Sequence, residues 1–139
     1  MSNASIQRPG MRHKWVTPSG EDRTLSADDA PKFVPSTVLL EQDGPLLVVL
    51  RHRGRMYLAL IVEMTGHCTR WIMSAVSAVE LDALRAREIA VRAVLAKPRM
   101  IVADYSHSGE LIWAWEVAAE DVPESVMPEA GALLPGWLR

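Results

Sequence analysis

Between Leu46 and Val62 the chain carries two short apolar runs that leave neither side of a strand polar. Leu46, Val48 and Leu50 alternate with Leu47 and Val49, and Met56, Leu58, Leu60 and Val62 alternate with Tyr57, Ala59 and Ile61. Successive side chains of a strand point to opposite faces, so both faces of these strands are apolar. An antiparallel sheet with one wet face would instead place polar residues at every second position. The pattern therefore demands a sheet covered on both sides. One helical segment covers one side, and the candidates for the other are the N-terminal arm, the tail around Trp137, the sheet curling on itself, or a partner subunit. The expectation leans towards a second copy of the chain or another protein.

Turn chemistry divides the rest of the chain into strands. Phe33 to Glu41 leads into Asp43-Gly44-Pro45, Leu46 to Arg51 runs into Arg53-Gly54-Arg55, and Met56 to Met64 ends at Thr65-Gly66. Trp71 to Ala75, Met100 to Tyr105 and Leu111 to Val117 make three more, the last pair separated by Ser106-His107-Ser108-Gly109. Glycine and small polar residues supply the backbone angles and local hydrogen bonds of tight reversals. Between the fourth and fifth strands, Ser77-Ala78-Val79-Glu80 has the spacing of a capping box. In that motif a hydroxyl and a carboxylate satisfy the free amides at a helix start. One helix of about twenty residues, or two shorter ones bent near Arg87-Glu88, should follow before Pro98.

The predicted fold is α+β: a largely antiparallel, curved sheet of about six strands with one or two helices inserted between strands four and five. Residues 1–32, rich in Pro, Gly and Asp and poor in periodicity, form an irregular arm, and 33–139 form a single domain with an extended tail. Ser2-Asn3-Ala4 has the look of a removed expression tag and is left out of fold reasoning. The longest apolar runs fall far short of the roughly 20 residues of a membrane span. One cysteine and no export signal point to the cytoplasm, and a net charge of -2 gives no bulk attraction to nucleic acid or anionic membrane.

Three constellations carry possible chemistry. His67-Cys68 could form a nucleophile pair or ligate zinc, and with strand-end carboxylates such as Glu63, Asp104, Glu110 and Glu116 it supports a small-enzyme reading. Neighbouring side chains on a strand diverge, however, and no second cysteine completes a ligand spacing, so neither cofactor nor metal is expected. Arg51, Arg53 and Arg55 crowd one hairpin and could clamp phosphates. Bases outnumber acids from Arg51 to Arg99, while 110–138 holds acids and no base, so internal pairing is preferred to nucleic-acid binding. Trp113 and Trp115, on one strand face with Leu111 and Val117, could form a stacking platform, although buried core is the commoner use of such residues. Arg51, Arg53, Arg55, Trp113, Trp115 and Trp137 are the candidate interaction residues of a non-enzymatic module binding a protein partner, a homodimer among the options.

Taken together, Asp43-Gly44-Pro45-Leu46, Gly54 followed by Tyr57-Leu58-Ala59, Trp71, Val76-Ser77 with Leu81 and Leu84, and Leu134-Pro135 resemble an uncharacterised family of small bacterial domains. The likeness runs from Phe33 to the C-terminus. It implies a sheet-forming fold and a bacterial origin only, with no activity, cofactor or catalytic residue attached; the accessory, immunity or regulatory role belongs to the protein-binding module favoured above. Ala86-Arg87-Glu88 stands where that family breaks its helical segment with glycine, which leaves one helix or two open.

Overall fold

The computed structural model describes Leu25, residues 30–42 and residues 44–134. Six strands, β1 (Pro35–Glu41), β2 (Pro45–His52), β3 (Arg55–Met64), β4 (Cys68–Val76), β5 (Met100–Ser106) and β6 (Leu111–Val117), form one antiparallel sheet in sequence order. Two helices, α1 (Ala78–Arg85) and α2 (Val91–Leu95), stand between β4 and β5. Each turn does what its residues permit. The two-residue loop between β2 and β3 puts both Arg53 (φ 52°) and Gly54 (φ 78°) in the left-handed region, the backbone that matches the twist of a tight hairpin.

Both faces of the sheet are covered. On one, Leu47, Val49, Leu58, Ile72, Val102 and Trp115 pack against Leu81 and Leu84 of α1 and Val91, Val94 and Leu95 of α2. The chain after β6 completes this layer with Val122 and Leu134, both buried. On the other face, Val48, Leu50, Ala59, Trp71, Met73, Ala103, Tyr105 and Ala114 are buried with Ala30, and Leu25 and Phe33 pack on them. The second cover is thus intramolecular. Its described members before β1 are held by the amide of Leu25, which donates to Ala114 O (2.8 Å), and by the Tyr105 hydroxyl, which donates to Pro31 O. The Phe33 ring sits 4.8 Å from that of Trp71 and 5.2 Å from that of Tyr105.

That contact requires the sheet to coil. Pro35 pairs with Leu50 at one end of the sheet, whereas Phe33 O lies 3.7 Å from where a Cβ on Gly109 would stand, in the β5–β6 turn at the other end. In a flat sheet those places differ by four strand spacings, about 19 Å across, and by about 20 Å along the strands. Two residues span at most about 7 Å. The sheet therefore wraps around the Phe33 face without closing, and the alanines at 59, 103 and 114 leave room on the inside of the curve.

Of the alternatives left open for the helical insertion, the chain takes two helices, because Arg87 turns left-handed (φ 61°) and the amides of Arg87 and Glu88 bond back to Leu84 O and Ala83 O. This is a Schellman ending with arginine at the position glycine usually takes. The tail is not simply extended: it makes single 3-10 turns at Ala119–Asp121 and Glu124–Val126. It is fastened by Val91 N donating to Ala132 O (2.9 Å) and by the Arg92 guanidinium gripping both Glu124 oxygens (2.5 and 2.6 Å). Leu111 does not share a face with Trp113 and Trp115. The register slips between Asp104↔Trp113 and Tyr105↔Leu111, leaving Ile112 as the extra residue and turning Leu111 to the arm side. Trp137 lies outside the described residues.

The capping box at α1 is formed as its spacing predicts: Ser77 Oγ accepts from Glu80 N (3.1 Å) and Glu80 Oε1 from Ser77 N (2.9 Å). The bond from the Ser77 amide holds the Glu80 carboxyl below its ordinary range, against the opposing effect of burial and with help from Lys97. A carboxyl whose folded value is depressed stabilises fully above its unfolded value and loses that contribution as pH falls through the folded one. The stability difference between the protein and Glu80→Ala should therefore be largest at neutral pH and shrink below about pH 4, as urea denaturation at a series of pH values will report. Arg87→Gly should raise stability by about 1 kcal/mol, relief of the left-handed backbone outweighing glycine's greater freedom when unfolded. A lowered urea midpoint would count against this account of the helix break.

Candidate functional site

Coiling leaves one end of the arm-side face open. Three turns meet there: Gln42 and Gly44 between β1 and β2, Met64 before β4, and Ser106, His107 and Gly109 between β5 and β6. They rim a cavity of about 400 Å³ whose walls are Phe33, Leu46, Ile61, Thr69 and Trp71. Its volume falls within the roughly 300–1,000 Å³ of pockets that enclose small molecules, and the mouth of a curled sheet is one of the places where such pockets form.

The polar groups around the cavity are oriented by their own partners. An indole N–H only donates, so Thr69 Oγ1 accepts from Trp71 Nε1 (3.0 Å) and keeps its hydroxyl hydrogen to give. A carbonyl only accepts, so the contact of His107 Nε2 with Thr65 O (3.2 Å) places a hydrogen on Nε2 and leaves Nδ1 an acceptor in the neutral ring. Ser106 Oγ accepts from Glu110 N (3.1 Å) and lies 2.9 Å from Ser108 Oγ. None of the described lining residues is Asp, Glu, Lys or Arg.

The residues singled out from the sequence are dispersed. Thr65 Oγ1 accepts from the amides of His67 and Cys68 (3.1 Å each), leaving His67 exposed and Cys68 buried on strand β4. The His107 turn does meet the Thr65 turn, whereas His52 lies on the hairpin at the opposite end. Among the described residues no three His, Cys, Asp or Glu side chains group closely enough to hold a metal. Arg51, Arg53 and Arg55 are exposed on the hairpin remote from the cavity. Trp115 is buried beneath the helical layer, and Trp113 is half-buried beside it with an indole N–H that meets no acceptor among the described residues. The charge asymmetry resolves partly into pairs between the halves, Arg92 with Glu124 and Arg99 with Glu116.

One further polar group is buried on the helical face. Arg70 forks onto Asp104, Nε to Oδ1 at 2.6 Å and Nη2 to Oδ2 at 2.8 Å, with its guanidinium carbon 5.2 Å from the centre of the Trp115 ring. Asp104 is wholly buried and Arg70 is 8% exposed. Cross-strand position brings them together, since the two residues are partners in the β4–β5 register. In the sequence Asp104 stands as a strand-end acid with no visible partner, because its pairing with Arg70 follows only from the β4–β5 register. Such a pair yields little net stability, but removing one member strands the other charge. Arg70→Met should cost about 4 kcal/mol, and Arg70→Met with Asp104→Leu should recover most of it, as thermal denaturation of the two variants will show.

Compared with known protein families, with curated proteins and with solved structures, the chain matches none. Among the described residues no helix is long and apolar enough to cross a membrane.

Proposed function

We propose that the chain is a non-enzymatic binding module that takes its ligand into the mouth of the coiled sheet. The observation that carries this reading is the cavity of about 400 Å³ enclosed by Phe33, Leu46, Ile61 and Trp71 and rimmed by three turns. Aromatic and aliphatic walls with a few oriented polar groups suit holding a molecule by burial and fixing its orientation by one or two hydrogen bonds. The rim is built from turns, which can vary without disturbing the sheet beneath them.

A protein partner is the second reading, in keeping with an accessory, immunity or regulatory role. It is favoured by Val34 and Val38, 66% and 43% exposed beside and along the outer strand β1. Irregular register along β1 interrupts its pairing with β2, which blunts that edge as a template for another strand. The mouth is therefore the stronger site.

Saturating the protein with naphthalene, a neutral apolar probe, should shift the Trp71 indole and His107 resonances in two-dimensional NMR and leave Trp113 and Trp115 unmoved. Shifts confined to Trp113 and Trp115, or none at all, would overturn the assignment of the mouth as the binding site.

A further inference from the structure

The polar groups of the mouth define more than a place to bury apolar surface. We infer that the ligand is a non-anionic small molecule with an aromatic or otherwise apolar body that bears a hydroxyl or an amide. The inference rests on the mouth being the binding site. Its lack of negative charge follows from the lining: no described residue of the wall or rim carries an ammonium or guanidinium, so an anion entering an apolar cavity would lose its hydration without meeting a counter-charge from those residues. Its apolar body follows from Phe33, Leu46, Ile61, Met64 and Trp71.

Its polar group follows from two hydrogen bonds already made. Trp71 Nε1 occupies one lone pair of Thr69 and leaves the Thr69 hydroxyl hydrogen to donate. Thr65 O occupies the hydrogen on His107 Nε2 and leaves Nδ1 to accept. Thr69 thus offers a donor and His107 an acceptor, beside the Gln42 amide, which can do both, and a group that both accepts and donates satisfies the pair. A hydroxyl does so with a single oxygen, and an amide does so with its carbonyl and N–H. A purely accepting group such as an ether would leave Nδ1 without a hydrogen, and a carboxylate would add an uncompensated charge.

Titration of the full chain with naphthalene, 2-naphthol and 2-naphthoate, followed at the Trp71 indole resonance, separates these possibilities on one carbon skeleton. 2-Naphthol should bind about fivefold more tightly than naphthalene, the gain of a net hydrogen bond, and 2-naphthoate should bind more weakly than either. In His107→Phe, an exposed position whose replacement leaves the sheet intact, 2-naphthol should lose its advantage over naphthalene. Arg51→Gln, at the far end of the sheet, should leave all three affinities as they are. If naphthalene binds but 2-naphthol is no better, or if 2-naphthoate matches it, the ligand class is wrong while the mouth remains the site. If none of the three binds, the reading of the mouth as a binding site falls, and the ligand class with it.

Discussion

A sheet apolar on both faces must be covered twice, and the architecture of this chain is the way one short polypeptide meets that demand. The insertion between β4 and β5, with the tail laid beside it, covers the face carrying Leu58, Ile72 and Val102. Among the described residues, Leu25, Ala30 and Phe33 before β1 pack on the other, and three residues do not blanket six strands, so the sheet brings its own strands around them. Alanine at 59, 103 and 114 permits the curvature, and Phe33 fills the space it creates between Trp71 and Tyr105. The cavity opens where the strands end, between Phe33 and the three turns.

The buried charges on the opposite face belong to the same economy of register. Arg70 and Asp104 are cross-strand partners, and the bidentate fork satisfies both carboxylate oxygens where water does not reach. A slip of one residue between β4 and β5 would send Arg70 to the arm side, among alanines and aromatics, with no carboxylate to meet it. The pair thus discriminates against the neighbouring register even though its contribution to stability is small.

Much of this fold was legible in the residues because it is encoded locally. Arg53-Gly54 can close a two-residue hairpin, Ser77 and Glu80 stand at the spacing of a capping box, and the doubled apolar alternation of β2 and β3 announces two covers. What escaped the reading is encoded at a distance. The register slip at Ile112 depends on how β6 meets β5, and it moves Leu111 to the face opposite Trp113 although strict alternation puts them together. The mouth draws residues from positions 33 to 109, and although Thr69 and Trp71 stand at strand spacing, only the turns and the curvature bring them together with Phe33, Ile61 and His107. Its chemistry is likewise invisible in composition, because the free hydrogen on Thr69 and the free lone pair on His107 are defined by partners that only the turns bring near. The choice between one helix and two stayed open for a simpler reason: Arg87 occupies a backbone conformation that its residue type does not advertise.

The order of the strands has a kinetic meaning. Every strand pairs with its neighbour in sequence, so the sheet can zip from hairpin to hairpin with short loops to close, except across the helical insertion of residues 77–99 between β4 and β5. The arm obeys a different rule. The hydrogen bond from Tyr105 to Pro31 joins residues 74 positions apart, and it can form only after β5 has been added to a sheet already curved enough to receive the chain. During synthesis Pro31 and Phe33 emerge ahead of every strand they pack on, and their partners Trp71 and Tyr105 follow only with β4 and β5.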